Sequence, residues 1–157
     1  MESPNDCPVC RSNEGIHRIS PGVIIYEGQA WQVEHAYPTS LLGWLVIVLR
    51  RHAEALHELT PDEATELGQL QRDVAVALKA KLDCVKEYSV CYGEASGFSH
   101  LHVHVIPRAL DLDEHLTGGG IFGCLNSLDD VLPRTVVSMF CNEMALLFRA
   151  QVAEPDR

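Results

Sequence analysis

The polar and apolar positions of this chain change period several times, and each change marks an element. Pro21-Gly22 is a turn signal, after which Val23 to Tyr26 reads as a short strand. Glu27-Gly28-Gln29 turns the chain into a second strand, Ala30 to His35, which makes the pair a hairpin. Tyr37-Pro38-Thr39-Ser40 breaks the pattern. Leu41 to Leu49 is then almost continuously apolar and rich in Val, Ile and Trp, which predicts a central strand buried on both faces. A short helical piece over Ala53 to Glu58 precedes a clearer helix. Thr60 supplies its N-cap, Pro61 its first helical position and Glu63 the return bond of a capping box. Ala64, Leu67, Leu70, Val74, Ala77 and Leu78 share one face and carry this helix to about Leu82. Tyr88 to Tyr92 reads as a strand, and Gly93 to Gly97 as a loop leading into Ser99 to Arg108. Beyond lie an acidic loop from Asp111 to Glu114 and a Gly118-Gly119-Gly120 run too short for a phosphate loop. A last helix over about Leu128 to Ala150 is capped from Ser127 to Asp130 and adjusted near Pro133, and the tail from Glu154 frays.

Tight turns between neighbouring strands imply a mainly antiparallel sheet with helices packed on one face, an α+β domain. The 157 residues suit a single domain. It divides into an N-terminal segment over 1–20, a sheet-and-helix body over 20–108 and a loop with C-terminal helix over 109–157. No internal repeat or low-complexity stretch interrupts it.

Composition narrows the classes. With 46% hydrophobic and 22% charged residues the chain reads as an ordinary globular protein. No apolar run is long enough to span a bilayer, and the opening residues lack the order of a signal peptide, so a cytoplasmic location without membrane contact is expected. A net charge of −10, from 12 basic and 22 acidic residues, argues against a nucleic-acid partner but not against a small anionic ligand. Six cysteines in such a chain are not expected to form a disulfide framework. Cys84, Cys91, Cys124 and Cys141 read as small core residues. Cys7 and Cys10 form a Cys-x-x-Cys knuckle, which alone is half a zinc site, a redox pair, or two unlinked thiols.

The densest chemistry lies in Ser99-His100-Leu101-His102-Val103-His104-Val105-Ile106-Pro107-Arg108. In a strand this spelling sends His100, His102 and His104 to one side and the apolar residues to the other. A row of imidazoles adds little packing and is costly to desolvate. The outer two would stand roughly 13 Å apart, so one metal ion bonded at about 2 Å cannot hold all three. At least one imidazole is left for other work.

The run His-apolar-His-apolar-His-apolar-apolar at His100 to Ile106 resembles the defining motif of the histidine triad (HIT) family. The likeness extends over about residues 20 to 108, taking in the apolar strand that runs into Arg51-His52 and the capped helix. It implies a five-stranded antiparallel sheet, usually a homodimer, and nucleotide binding with hydrolysis or transfer of nucleoside-phosphate groups. It implies that His102 is the nucleophile toward an α-phosphorus and that His104 contacts phosphate oxygens. Zinc-bearing members imply a structural zinc held by Cys7, Cys10, His52 and His100. The expected substrate is a dinucleoside polyphosphate or a nucleoside phosphoramidate, with nucleotidyl transfer to another acceptor, or binding without catalysis, as the alternatives.

Two departures stand out. The loop before the triad is short, so Ser99 is only an open possibility for the phosphate contact that many members make there. A position where some branches carry a further histidine holds Trp44. Arg108 and His35 are open between substrate contact and a surface or structural role, and His17, His57 and His115 read as surface or loop residues.

Overall fold

Five strands pair antiparallel in the computed structural model, which describes residues 6–125 and 130–153 apart from the side chain of Val152. They are β1 (Tyr26–Glu27), β2 (Trp31–His35), β3 (Leu45–Leu49), β4 (Lys86–Val90) and β5 (His102–Arg108), in the spatial order β1-β2-β3-β5-β4. Helices α1 (Pro8–Asn13), α2 (Pro61–Leu82) and α3 (Arg134–Ala153) complete the frame, with 3₁₀ segments at Leu56–Glu58, Glu114–Leu116 and Gly118–Cys124. The α+β class with a five-stranded antiparallel sheet is therefore the observed fold. No helix among the described residues is long and apolar enough to cross a membrane.

β3 is central because its Leu-Val-Ile-Val-Leu sequence has apolar side chains for both faces. Leu45, Ile47 and Leu49 point toward α2 and α3, joined by Trp31 and Val33 of β2, Val103 and Val105 of β5, and Leu78, Met144 and Phe148 of the helices. Each of the largest of these side chains contributes on the order of 1.5–3 kcal/mol through burial. Val46 and Val48 point the other way, where α1 packs through Cys7, Val9 and Cys10. Further along that second face, Trp44 and Ile106 are covered by Ile121 and Cys124 of the glycine-rich 3₁₀ segment. The two long helices thus share one face. On the other, two short covers stand apart and leave a strip of β2, β3 and β5 open between them.

α2 starts and stops where its caps dictate. The Thr60 hydroxyl accepts from the Glu63 amide at 3.3 Å, the Glu63 carboxylate accepts from the Thr60 amide at 2.8 Å, and Asp83 ends the helix at φ 51°. Leu67, Leu70, Val74, Ala77 and Leu78 are buried as expected, whereas Ala64 is exposed.

Other boundaries moved. The Val23 to Tyr26 strand is reduced to Tyr26–Glu27, since only these pair with Val33 and Gln32 in the ladder. The strand expected from Leu41 begins at Leu45, because Gly43 at φ 85° interrupts the extended backbone just before it. The Ala53 to Glu58 helix is one 3₁₀ turn, and β4 lies two residues earlier than Tyr88 to Tyr92. The glycine run is helical in the 3₁₀ sense. The last helix begins at Arg134, just after Pro133; the cap expected at Ser127 to Asp129 and the tail from Glu154 lie outside the described residues. α1 had not been expected: six residues are too few to display a helical period.

Candidate functional site

β3 and β5 are antiparallel neighbours, with Val48 opposite His102 and Val46 opposite His104. The exit of β3 therefore meets the entry to β5, and His52 and His100, which lie just outside those strand ends, come together. His100 is not in the regular ladder; its neighbour Leu101 donates to the Ala53 carbonyl and accepts from the Leu49 amide. The His100 ring faces α1, on the side of the sheet that carries Val46 and Val48.

There it meets two thiols. Cys7 caps α1, its Sγ accepting from the Cys10 amide, so the Cys-x-x-Cys spacing aims both sulfurs at the sheet. Cys7 Sγ lies 3.5 Å from His100 Nδ1, and Cys10 Sγ lies 3.4 Å from His100 Nδ1 and 3.3 Å from His52 Nδ1. All four ligand atoms fall within 4.8 Å of one another. A tetrahedral zinc with bonds of about 2.0–2.3 Å has ligand–ligand edges of roughly 3.3–3.8 Å, so the cluster fits such an ion. The protonation pattern fits too. His100 Nε2 donates to the Leu49 carbonyl at 2.7 Å, which leaves the Nδ1 lone pair facing the thiols. Burial is the main reason the His100 ring is held down to about 4, against the raising effect of that carbonyl. His52 Nε2 lies 3.5 Å from a Glu54 carboxylate oxygen, to which the Ser99 hydroxyl donates at 3.4 Å.

The other two triad histidines face the open strip. His102 Nδ1 donates to the His100 carbonyl at 2.7 Å, leaving a lone pair on Nε2. That atom stands 3.2 Å from His104 Nε2. On its far side His104 Nδ1 accepts from the Trp44 indole N–H at 2.9 Å. An indole can only donate, so His104 carries its proton on Nε2 and donates toward His102. The tautomers of all three rings follow from the carbonyls at one end and the indole at the other. His104 is buried between Trp44 and Phe122, both edge-on to it, and burial, with a further contribution from His102, pushes it down to about 3.

His102 and His104 form one end of a cleft of about 500 Å³ whose floor includes Val46 and Val48. α1 and its following loop supply one wall through Val9, Ser12 and Asn13; Phe122, Tyr92 and Phe98 supply another. Across the sheet, Glu34 is opposite Val46, which is itself opposite His104. The buried Glu34 carboxylate accepts from Arg18 at 3.1 Å and from the Gln32 amide, and desolvation nevertheless raises its pKa above the usual range.

Of the three other expected substrate contacts, His35 is among the residues of the cleft lining, and Ser99 and Arg108 are not. His35 packs edge-on to Phe140 of α3 and uses both ring nitrogens on backbone, Nδ1 donating to Ala36 O at 2.6 Å and Nε2 accepting from Gly43 N at 3.0 Å. It holds the β2–β3 loop in shape, and burial lowers it to about 4. Ser99 sits beside Glu54, near the metal cluster. Arg108 lies six residues beyond His102, roughly 20 Å along β5, and does not line the cleft. His17, His57 and His115 are exposed. Phe122 and Glu34 give no sign of chemistry in the sequence, and Trp44 is marked there only as standing where some branches carry a histidine. Alternation could have found Trp44, which shares a strand face with Val46 and Val48 and hence with the histidines.

Comparisons agree with this picture. The chain resembles a Hit-like protein involved in cell-cycle regulation from Bartonella henselae, at 14% identity and TM-score 0.72, over 94% of this chain and 99% of that one. It resembles a histidine triad nucleotide-binding protein from Sulfolobus tokodaii at 16% identity and TM-score 0.71, over 94% and 95%. A zinc-bound histidine triad family protein from Mycobacterium smegmatis matches at 19% identity and TM-score 0.64, over 98% of each chain. These likenesses show the fold. No curated protein matches the chain by sequence. The HIT domain family model, however, matches residues 19–110, which hold the sheet, α2 and all three triad histidines, and on that ground the chain belongs to the histidine triad family.

Proposed function

We propose that this protein is a nucleotide hydrolase in which His102 Nε2 attacks the α-phosphorus of a nucleoside phosphate compound. The observation that carries the reading is the His102 bond to the His100 carbonyl, which commits Nδ1–H and leaves Nε2 as a neutral nucleophile facing the cleft. The N–P bond forms as the bond to the leaving group breaks. Water then attacks the same phosphorus, loses its proton to solvent, and returns the bonding pair to His102. In this reading the His104 Nε2–H, 3.2 Å from His102 Nε2, shifts its hydrogen bond to the phosphoryl oxygens as charge grows there. The cleft beyond the histidines receives the nucleoside. Dinucleoside polyphosphates and nucleoside phosphoramidates are the substrate classes in view, and the nucleotide-binding description of the Sulfolobus tokodaii relative supports a nucleotide ligand. The protein acts in the cytoplasm as a homodimer, with the metal site serving structure.

The test is His102→Asn with a panel of such substrates, followed by intact-mass analysis of the wild type during turnover. A nucleotidyl adduct on the wild type and loss of at least 10³-fold in the folded variant are expected, in the order-of-magnitude range of lost nucleophiles. Full activity in the variant would remove His102 from the chemistry. Transfer of the adduct to an added acceptor in preference to water would make the protein a transferase. Tight binding with neither adduct nor turnover would make it a binding module.

A further inference from the structure

The Trp44–His104 bond has no counterpart among the roles assigned above. Trp44 is fully buried just before β3, and its indole N–H meets His104 Nδ1 at 2.9 Å. Phe122 closes in edge-on to both rings, with centroids 5.2 Å from Trp44 and 5.4 Å from His104. The rings against His104 are thus the indole of Trp44, just before β3, a phenyl ring from the 3₁₀ segment and His102 from its own strand. Neither of the first two carries a titratable proton.

Chemistry follows from that enclosure. If His104 took a second proton it would go to Nδ1, and two N–H groups would then point at each other in a site without water's compensation. If His104 gave up its Nε2 proton without gaining another, it would become an imidazolate. His104 therefore donates a hydrogen bond but does not pass a proton on. The depression of its pKa to about 3, mainly by burial, is in keeping with this.

We infer that Trp44 is a positioning residue that locks His104 as a neutral Nε2–H donor and thereby selects nucleoside phosphoanhydrides over nucleoside phosphoramidates. The inference rests on the covalent reading of His102 above. When His102 Nε2 forms its bond to the phosphorus of an anhydride, the P–O electron pair leaves on a phosphate oxygen, which is stable in water without a proton. When the leaving group is an amine, the P–N pair departs on nitrogen, and an amine anion leaves only if a proton arrives with it. The imidazole nearest the reaction cannot bring one. Glu34 and Tyr37 from the β2 side and Tyr92 and Glu94 from the loop after β4 also line the cleft and are side chains a proton could come from, so the test includes them.

Two measurements decide the matter. Nitrogen-15 spectra of histidine-labelled wild-type protein should show His104 protonated at Nε2 alone. Trp44→Phe, and the isosteric replacement of Trp44 by benzothienylalanine, which removes the N–H while keeping the packing, should give a tautomer mixture. In parallel, kcat/KM is measured for a dinucleoside polyphosphate and for an alkylamine phosphoramidate of the same nucleoside. General acid catalysis is worth roughly 10²–10⁴-fold, so the wild type should favour the anhydride by about 100-fold or more, and both Trp44 variants should lower that ratio at least about tenfold. A wild-type ratio near one, a ratio unchanged in both variants, or phosphoramidate cleavage that depends on Glu34, Tyr37, Tyr92 or Glu94 would overturn the inference. His102→Asn separates the two levels: if it still cleaves either substrate, the covalent reading fails, whatever the ratio.

Discussion

His100 binds His102 with its backbone while its side chain belongs to a different site. Its carbonyl accepts the His102 Nδ1–H at 2.7 Å, and its ring Nδ1 stands 3.5 Å from Cys7 Sγ and 3.4 Å from Cys10 Sγ. The residue that orients the proposed nucleophile is thus itself held by the metal cluster, and the same cluster pins α1, one wall of the cleft.

Removing one sulfur should therefore be felt twice. Cys7→Ser is expected to bind less than one equivalent of zinc and to melt at a lower temperature than the wild type. A metal contribution of even about 4 kcal/mol corresponds to roughly 10 °C for a chain of this size. Turnover should fall as well, since the His100 carbonyl and α1 both lose their anchor. Metal analysis and thermal melts with and without chelator check this; a full equivalent of zinc in the variant would refute the site.

Glu54 tests the cluster without itself being a ligand. Its carboxylate lies 3.5 Å from His52 Nε2, the position from which an acidic group strengthens and orients a metal-bound imidazole. Glu54→Gln should weaken zinc affinity by roughly 10–100-fold, as outer groups typically do, with the fold retained. Competition with a chromophoric chelator measures it, and an unchanged affinity would show that the carboxylate does no such service.

The pH dependence of stability should carry the signature of Glu63. Hydrogen bonding from Arg51 is the largest of the effects that lower its pKa from 4.5 to about 2, with the Thr60 amide adding to it. A carboxyl depressed on folding contributes stability that is complete above its unfolded value and lost as pH falls through its folded value. Glu63→Gln should accordingly destabilise the protein at pH 6 and cost little near pH 2. Denaturant titrations at the two pH values decide it, and an equal difference at both would contradict the assignment.

Ile47 probes the shared core. It is fully buried at the middle of β3, on the face that carries α2 and α3. Ile47→Val should cost about 0.5–1.5 kcal/mol and Ile47→Ala about 2–5 kcal/mol, because the packed helices can only partly fill the space. Equilibrium unfolding gives both values; a cost below about 0.5 kcal/mol for Ile47→Ala would mean that this layer is loosely packed.

Features that depend on neighbours in sequence were legible without the structure. Thr60 and Glu63 announce the start of α2 because a capping box closes within one helical turn. His102 and His104 share a face because strand side chains repeat every second residue. The apolar run of β3 told of burial on both sides. The triad spacing even excluded a single ion held by all three histidines. What could not be read locally is what meets across the fold. The thiols of Cys7 and Cys10 reach His100 from 93 and 90 residues away, and Trp44 reaches His104 from 60. Those meetings depend on the register of β3 against β5, and register is set by packing on both faces at once rather than by any short stretch. The same holds for His35: local pattern left it open between substrate contact and a structural role, and only the tertiary structure supplied the bonds of its ring to Ala36 and Gly43. Local periodicity thus determined which elements exist and which way most side chains point, and the tertiary structure alone decided their partners.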